Sequence, residues 1–382
     1  MQSKRFKLPR SLSITVDLFP HSYFNIFHSL FPSTIPLSLT GMKKIIFSIG
    51  IVFLLAFPAS AQEQDPKKLH ESAKTFIRQG DYSNAVLVLN RLLKNDANNL
   101  ELLKDLAFAY YLNKDYARAL ETAKPFEERK DSDVQAYQIL ALIYKALEER
   151  KDCEKLYRVA LKKFPASGVL YNEYGEMLWT KKEFAEAAKL WEKGIEMDPN
   201  NSGNYYNAAK FYYLSADKTW GLIYGEIFIN IESYSLRTVE IKSLLLEGYK
   251  KLFTGNDFLK YQNTKNEFVS AFLGLMQKHS AVVAEGVTPE TLTSLRARFI
   301  LDWYDKYAAR FPFRLFEHHN QLLKMGFFDA YNQWVFGAAG NLPAYQQWTS
   351  IHTDVNNEFI RLQKNRVFKV PPGQYYQTST SK

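Results

Sequence analysis

Apolar positions recur along this chain at three- and four-residue spacing, and the spacing itself recurs. Four consecutive windows of 34 residues align without a gap: 66–99, 100–133, 134–167 and 168–201. Each predicts two amphipathic helices joined by a short polar turn. Position eight holds a small residue in every window: Ala73, Ala107, Ala141 and Gly175. Position twenty holds Ala85, Ala119, Cys153 and Ala187, again small. Position eleven is a large filler: Phe76, Tyr110, Tyr144 and Leu178. The intervening turns read Gly80-Asp81-Tyr82, Lys114-Asp115-Tyr116 and Lys182-Glu183-Phe184. Pro165 and Pro199 stand at window ends, where proline stops a helix. Unrelated helices of a bundle share the apolar spacing but do not repeat matched small residues at a fixed interval.

Tyr171 to Asn201 reads YNEYGEMLWTKKEFAEAAKLWEKGIEMDPNN, and with its three neighbours it resembles the tetratricopeptide repeat, a stacked helical hairpin. A degenerate fifth copy follows: Tyr205, Ala208, Ala209 and Tyr212 fit its first helix. Gly221 and Gly225 fall where its second helix needs helix formers. The resemblance implies a right-handed solenoid whose first helices line a concave groove. Positions five, nine and twelve share that face. Carried over, they give His70, Lys74 and Ile77, then Lys104, Phe108 and Tyr111, then Gln138, Leu142 and Lys145, then Asn172, Glu176 and Trp179. Phe108, Tyr111 and Trp179 would be peptide anchors unless later helices fold back over them. The Lys and Asn pair with which some members grip a C-terminal carboxylate is not reproduced. The resemblance thus points to a protein or peptide partner and does not name it.

Beyond about Ser233 the register ends but helical patterning continues, so the whole chain reads all-α: a solenoid over 62–233 and a C-terminal helical domain over 234–369. Leu236 to Phe253 is apolar at helical spacing. Thr288-Pro289-Glu290 is a helix start, with Thr288 as N-cap, and the helix should reach about Arg310. Its buried stripe would be Leu292, Leu295, Phe299, Trp303 and either Tyr307 or Tyr304. Phe327–Phe336 forms one arm of a last hairpin, with a turn at Gly337–Asn341. A long helix from Pro343 would then carry Tyr345, Trp348, Ile351, Val355, Phe359 and Leu362 on one face. The polar tail 370–382 should be disordered.

Composition adds an export signal. Met42-Lys43-Lys44, the apolar run Ile45–Phe57 and Pro58-Ala59-Ser60-Ala61 make a signal peptide over 42–61, cleaved before Gln62. The run is short for a membrane span, so none is expected after cleavage. The simplest account of residues 1–41 is an artefactual extension, with translation starting at Met42. The chain carries a formal charge of +9. Six Lys and Arg against Asp17 in residues 1–61 account for five of those charges. The remainder is only mildly basic, and a nucleic-acid partner is not expected. Aromatics make up 15%, which suits packed hairpins and excludes general disorder. The one cysteine, Cys153, forms no internal disulfide and should be a buried thiol standing in for alanine.

Candidate chemistry is sparse. Glu317-His318-His319 is the densest group of metal-type residues, but neighbours on a helix point about 100° apart. His-Glu-x-x-His, phosphate-binding glycine loops and Gly-x-Ser-x-Gly are absent from the sequence. Asp302 and Asp305, one turn apart, are a carboxylate pair that most simply reads as a solvated helix face. No catalytic residue, cofactor or metal is expected. The function expected is an exported, periplasmic or secreted interaction scaffold. The alternative is an enzyme with its active site in the C-terminal region and the repeats as a docking platform.

Overall fold

Each hairpin turns through the same backbone device. The computed structural model describes residues 65–254, 259 and 262–378, and the expected leader and N-terminal extension lie outside these. The first eight helices are α1 (Pro66–Gln79), α2 (Tyr82–Leu93), α3 (Leu100–Leu112), α4 (Tyr116–Ala123), α5 (Val134–Ala146), α6 (Arg150–Lys163), α7 (Gly168–Thr180) and α8 (Phe184–Met197). They pair as the four windows predict. Gly80, Lys114, Glu148 and Lys182 all have positive φ, from 58° to 79°. The residue after each donates its N–H to the carbonyl at position eleven: Asp81 to Phe76, Asp115 to Tyr110, Glu149 to Tyr144 and Glu183 to Leu178, all at 2.9 Å. This six-to-one bond closes the first helix of every pair. Asp81 and Asp115 then cap the second helix, accepting from the N–H of Asn84 and Arg118.

The small positions lie at helix contacts. Ala73, Ala107, Ala141, Ala85, Ala119 and Ala187 are fully buried. Cys153 is buried too, with Sγ 3.8 Å from the Ala141 carbonyl. Burial pushes its thiol up to about 11, so the thiolate needed for reactivity is scarce.

The fifth pair is α9 (Ser202–Leu214) and α10 (Thr219–Ile231), followed by α11 (Leu236–Phe253). Despite its glycines, α10 is unbroken and apolar on almost every side, as a central helix must be. The glycines serve close approach. A Cβ on Gly221 would lie 3.1 Å from the Tyr213 nitrogen, and one on Gly225 would lie 3.1 Å from Leu245 Cδ2. Packing, not propensity, therefore places them there.

The remainder comprises α12 (Glu267–Lys278), α13 (Pro289–Lys306), α14 (Arg314–Lys324), α15 (Phe328–Asn332), α16 (Ala338–Gly340), α17 (Leu342–Ile351) and α18 (Thr353–Asn365). Among the described residues there is no β-strand. Residues 63–382 form one compact unit. Its centre is α10, which meets α9 and α11 and sets Trp220 on Phe268 of α12. Thr288 caps α13 as expected, through a capping box with Thr291.

Three expectations for the C-terminal region need correction. The Gly337–Asn341 turn is instead a π-turn, Gln333–Gly337, running into α16. The expected long helix from Pro343 breaks at His352 into α17 and α18, and of its apolar face only Phe359 is fully buried. Ile351 and Val355 face solvent. The tail through Thr378 is not free: Val370 is buried and Tyr376 stacks on Phe268 at 4.8 Å.

Candidate functional site

The first helices of the pairs are laced edge to edge by polar contacts nearly one repeat apart. His70 Nε2 meets Asp105 Oδ2 at 2.6 Å, and Gln138 Nε2 donates to Glu173 Oε1 at 2.6 Å. Asn207 Nδ2 donates to Asn172 Oδ1 at 2.8 Å and to Glu176 Oε1 at 3.1 Å. Position five of one repeat thereby meets position six of the next. Lys104 is 2% exposed, with Nζ on Glu101 and Asp133 at 2.7 Å and Gln135 at 3.0 Å. Burial pulls its ammonium down, but the bonds to Asp133 and Glu101 outweigh that and hold it above the usual lysine range.

The ten polar and aromatic groove candidates thus divide. Lys104 and Asn172 are buried and tied into the stack, so they present little to a partner, a correction to the expectation that they face an open groove. His70 and Gln138 are half-buried members of the same lacing. Glu176 accepts from Asn172 at 3.0 Å. Burial raises its carboxyl above the usual range, against the nearby Lys145. Lys145 sets its ammonium 5.3 Å from the Tyr157 ring centre. Lys74 stays near Glu71, at 3.2 Å. Leu142 is buried and Ile77 half-buried.

The aromatic candidates are half-buried. Phe108 and Tyr111 stack with centroids 6.1 Å apart, and Tyr116 flanks Tyr111 at 5.9 Å. Trp179 lies edge-on to Phe184 at 4.6 Å and tilts on Trp191 at 5.7 Å. The helices that pack most extensively on α1, α3, α5 and α7 all belong to the stack itself.

The C-terminal region holds a second constellation that the sequence reading missed. Glu226 of α10, fully enclosed, pairs with Arg296 of α13. The same Oε1 lies 2.9 Å from His319 Nε2 and accepts from the Tyr331 hydroxyl at 2.8 Å. Asn230, one turn along α10, donates to the Tyr331 hydroxyl at 2.7 Å and accepts from Arg366 at 2.8 Å. Arg296 also reaches Asn332. Burial opposes the Glu226 charge, but the Arg296 charge and the hydrogen bonds from His319 and Tyr331 prevail and hold its carboxyl down to about 2. The cavity beside it, between Tyr249, Phe272 and Phe299, has room for about one water molecule. A glutamate and an asparagine inside the apolar run Trp220–Ile231 were the available signal.

The histidines of α14 do not act together. His319 belongs to the Glu226 network, whereas His318 is boxed by Tyr331 and Phe368 and its Nε2 has no partner among the described residues. Among the described residues there is no group of three or more His, Cys, Asp or Glu placed to hold a metal ion. Asp302 is taken up by Lys278 at 2.5 Å and His279 at 2.8 Å.

The chain carries tetratricopeptide-type repeats, built as a solenoid of helical hairpins. A family model described as "Anaphase-promoting complex, cyclosome, subunit 3" matches residues 78–160. No curated protein matches the chain in sequence. Solved structures similar to it include a thermophilic tetratricopeptide-repeat protein of Thermus thermophilus, 18% identical, covering 48% of this chain and 100% of its own, with a TM-score of 0.39. A tetratricopeptide-repeat protein of Parabacteroides merdae is 15% identical and covers 78% of this chain and 99% of its own, with a TM-score of 0.38. The MamA protein is 19% identical, covering 49% and 93%, with a TM-score of 0.34. A repeat stack of this type suggests a protein-interaction scaffold. Among the described residues no helix is long and apolar enough to cross a membrane.

Proposed function

We propose that the chain is an exported scaffold that holds an extended segment of a protein partner along the inner face of the repeats. The supporting observation is that Phe108, Tyr111 and Trp179 stay partly exposed on helices whose main packing partners all belong to the repeat stack. Aromatic side chains held rigidly at low entropic cost are the usual anchors of such contacts. The lacing of His70, Gln138, Asn172 and Asn207 has a supporting role: it fixes the spacing between anchors before a partner arrives. Export rests on Met42-Lys43-Lys44, the apolar run and Ala59-Ser60-Ala61.

The test is capture of partners on immobilised residues 62–382, in parallel with a Tyr111→Ala, Trp179→Ala double variant of unchanged helical content. A protein retained by the first and lost from the second supports the reading. Equal retention by both removes the groove from it. N-terminal sequencing of secreted material checks export, with Gln62 the expected first residue.

A further inference from the structure

The segment after α18 carries no helix, yet it is held as closely as a bound peptide. One contact is two-sided: the Val370 N–H donates to Asn200 Oδ1 at 2.9 Å, and Asn200 Nδ2 donates to the Val370 carbonyl at 3.2 Å. Pro371-Pro372-Gly373 then turns the chain, with Gly373 at φ 83°. Gln374 Oε1 accepts the Arg314 N–H at 2.6 Å. That N–H opens α14, whose own N-cap, Phe313, supplies no side-chain acceptor. Tyr376 stacks on Phe268 with an interplanar angle of 11°, while Phe311 and Phe313 stand around its edge at 5.5 and 5.8 Å. Its hydroxyl donates to the Pro312 carbonyl at 2.7 Å. Asn266 Nδ2 donates to two successive carbonyls, Tyr376 at 2.7 Å and Gln377 at 3.1 Å. Gln377 Nε2 donates to Glu192 Oε1 at 2.8 Å and to the Tyr212 hydroxyl at 2.6 Å.

Two features set this apart from ordinary core packing. The receptor side is fixed by contacts that do not involve the tail. Asn266 caps α12, its Oδ1 accepting the Val269 N–H at 3.1 Å, so its amide nitrogen is left aimed outward. Phe268, Phe311 and Phe313 pack among Trp303 and Phe316. The tail side, in contrast, is read through main-chain groups at Val370, Tyr376 and Gln377 and through the side chains of Gln374, Tyr376 and Gln377, and residues 374–377 remain only half-buried. Main-chain bonds for affinity and a slot for one side chain are the terms in which extended peptides are recognised.

We propose that Asn200, Asn266 and the Phe268–Phe311–Phe313 slot form a preformed peptide-binding site, and that Val370–Thr378 is its resident ligand, bound in cis and exchangeable with the same segment supplied in trans. The site lies apart from the inner face of the repeats and stands or falls independently of the function proposed above. A covalently attached ligand has an effective concentration near the millimolar range, so the site is masked in the intact chain.

The probe is a fluorescent peptide of residues 366–382, titrated into full-length protein. The wild-type chain should bind it weakly. A Tyr376→Ala chain, with its own tail loosened, should bind it at least ten-fold tighter. Adding Asn266→Asp keeps the α12 cap but removes the amide donor, and should abolish that gain without lowering the melting temperature further. A concentration-dependent wild-type dimer that Tyr376→Ala abolishes would also support the site, with a second copy's tail as occupant. A natively folded Tyr376→Ala chain that ignores the peptide, or binds it no better than wild type, overturns the proposal. Should that variant not fold, hydrogen exchange on the wild-type chain decides. The Val370 amide should exchange through local release, well before the amides of α12. Exchange of both only on global unfolding makes the tail part of the core and overturns the proposal.

Discussion

Trp191 lies so close to Gly175 that a Cβ on the glycine would sit 2.3 Å from the indole nitrogen. The two positions compensate along the solenoid. Where position eight is alanine, its counterpart at position twenty-four is Leu89, Ala123 or Tyr157; where it shrinks to glycine, the counterpart is tryptophan. The indole also donates to the Asn172 carbonyl at 3.2 Å, which fixes the ring in place. Gly175→Ala is therefore expected to destabilise by about 1–3 kcal/mol through overpacking. Pairing it with Trp191→Leu should recover part of the loss. Urea denaturation of the single and double variants measures the coupling, and additive effects would contradict the contact.

The hairpin turns offer a second comparison. Gly80 adopts φ 79° at no steric cost, whereas Lys114 and Lys182 hold φ 61° and 64° with a Cβ present. A left-handed residue with a side chain costs roughly 1–2 kcal/mol. Gly80→Ala should lower stability by about that amount although nothing lies within 4 Å of the added carbon. Lys114→Gly should raise stability by a smaller amount, because glycine also loses more freedom on folding. Opposite shifts in the denaturation midpoint are the expected result.

These two cases show what the sequence displays. The repeat was legible because its rules are local and recur at a fixed interval: small residues at contacts, a left-handed turn, a filler whose carbonyl closes the helix. The C-terminal region has no such recurrence. Its contacts join residues far apart in sequence, as with Glu226 and Arg296 or Asn200 and Val370, and no spacing rule signals those pairings. Ile351 and Val355 have the spacing of one helix face with Phe359, but the helix breaks at His352 and both are exposed. The burial of Lys104 is hidden for a related reason. Lys104 shares a helix face with Phe108, but Asp133 at the end of its own window and Gln135 of the next repeat claim its ammonium.

The Glu226–Arg296 pair is closed off from water, so removing one charge strands the other. Glu226→Gln keeps the shape but leaves the Arg296 guanidinium uncompensated, with an expected loss of about 3–5 kcal/mol. Changing Glu226 and Arg296 together to apolar residues of similar volume should cost less than the single change. A double-mutant cycle read by chemical denaturation checks the ordering.

Acid sensitivity follows from the same region. Burial, then the Arg366, His319 and Arg314 charges, keeps His318 well below its ordinary value of 6.5. Burial also lowers His319, although Glu226 pulls the other way. The unfolded chain takes up protons at both histidines as pH drops through about 6.5, and the folded chain does not, so stability falls with pH in that window. Below about 4.5 Glu226 adds to the loss, because its folded carboxyl stays ionised down to about 2. Glu192 and Glu176, raised by burial, act in the opposite sense above about 4.5, where the folded chain takes up their protons first. The test therefore compares variants between pH 7 and 5, where the carboxyl contributions are common to both chains. His318→Phe, filling the box of Tyr331 and Phe368, should flatten the decline in urea midpoint over that range. An unchanged slope would remove His318 from the account.

Tyr111 and Trp179 separate binding from folding. Trp179 touches Phe184 and Trp191, so Trp179→Ala should weaken a partner and also lower the melting temperature. Tyr111 rests on the half-buried rings of Phe108 and Tyr116, at the edge of the core. Tyr111→Ala should cost about 1–3 kcal/mol of partner affinity, the range for hot-spot aromatics, with a much smaller change in stability. Calorimetric titration against a captured partner, beside a thermal melt of each variant, reads both quantities. If Tyr111→Ala lost stability in proportion to affinity, its ring would be part of the stack's packing, and the case for an aromatic binding face would rest on Trp179 and Phe108 alone.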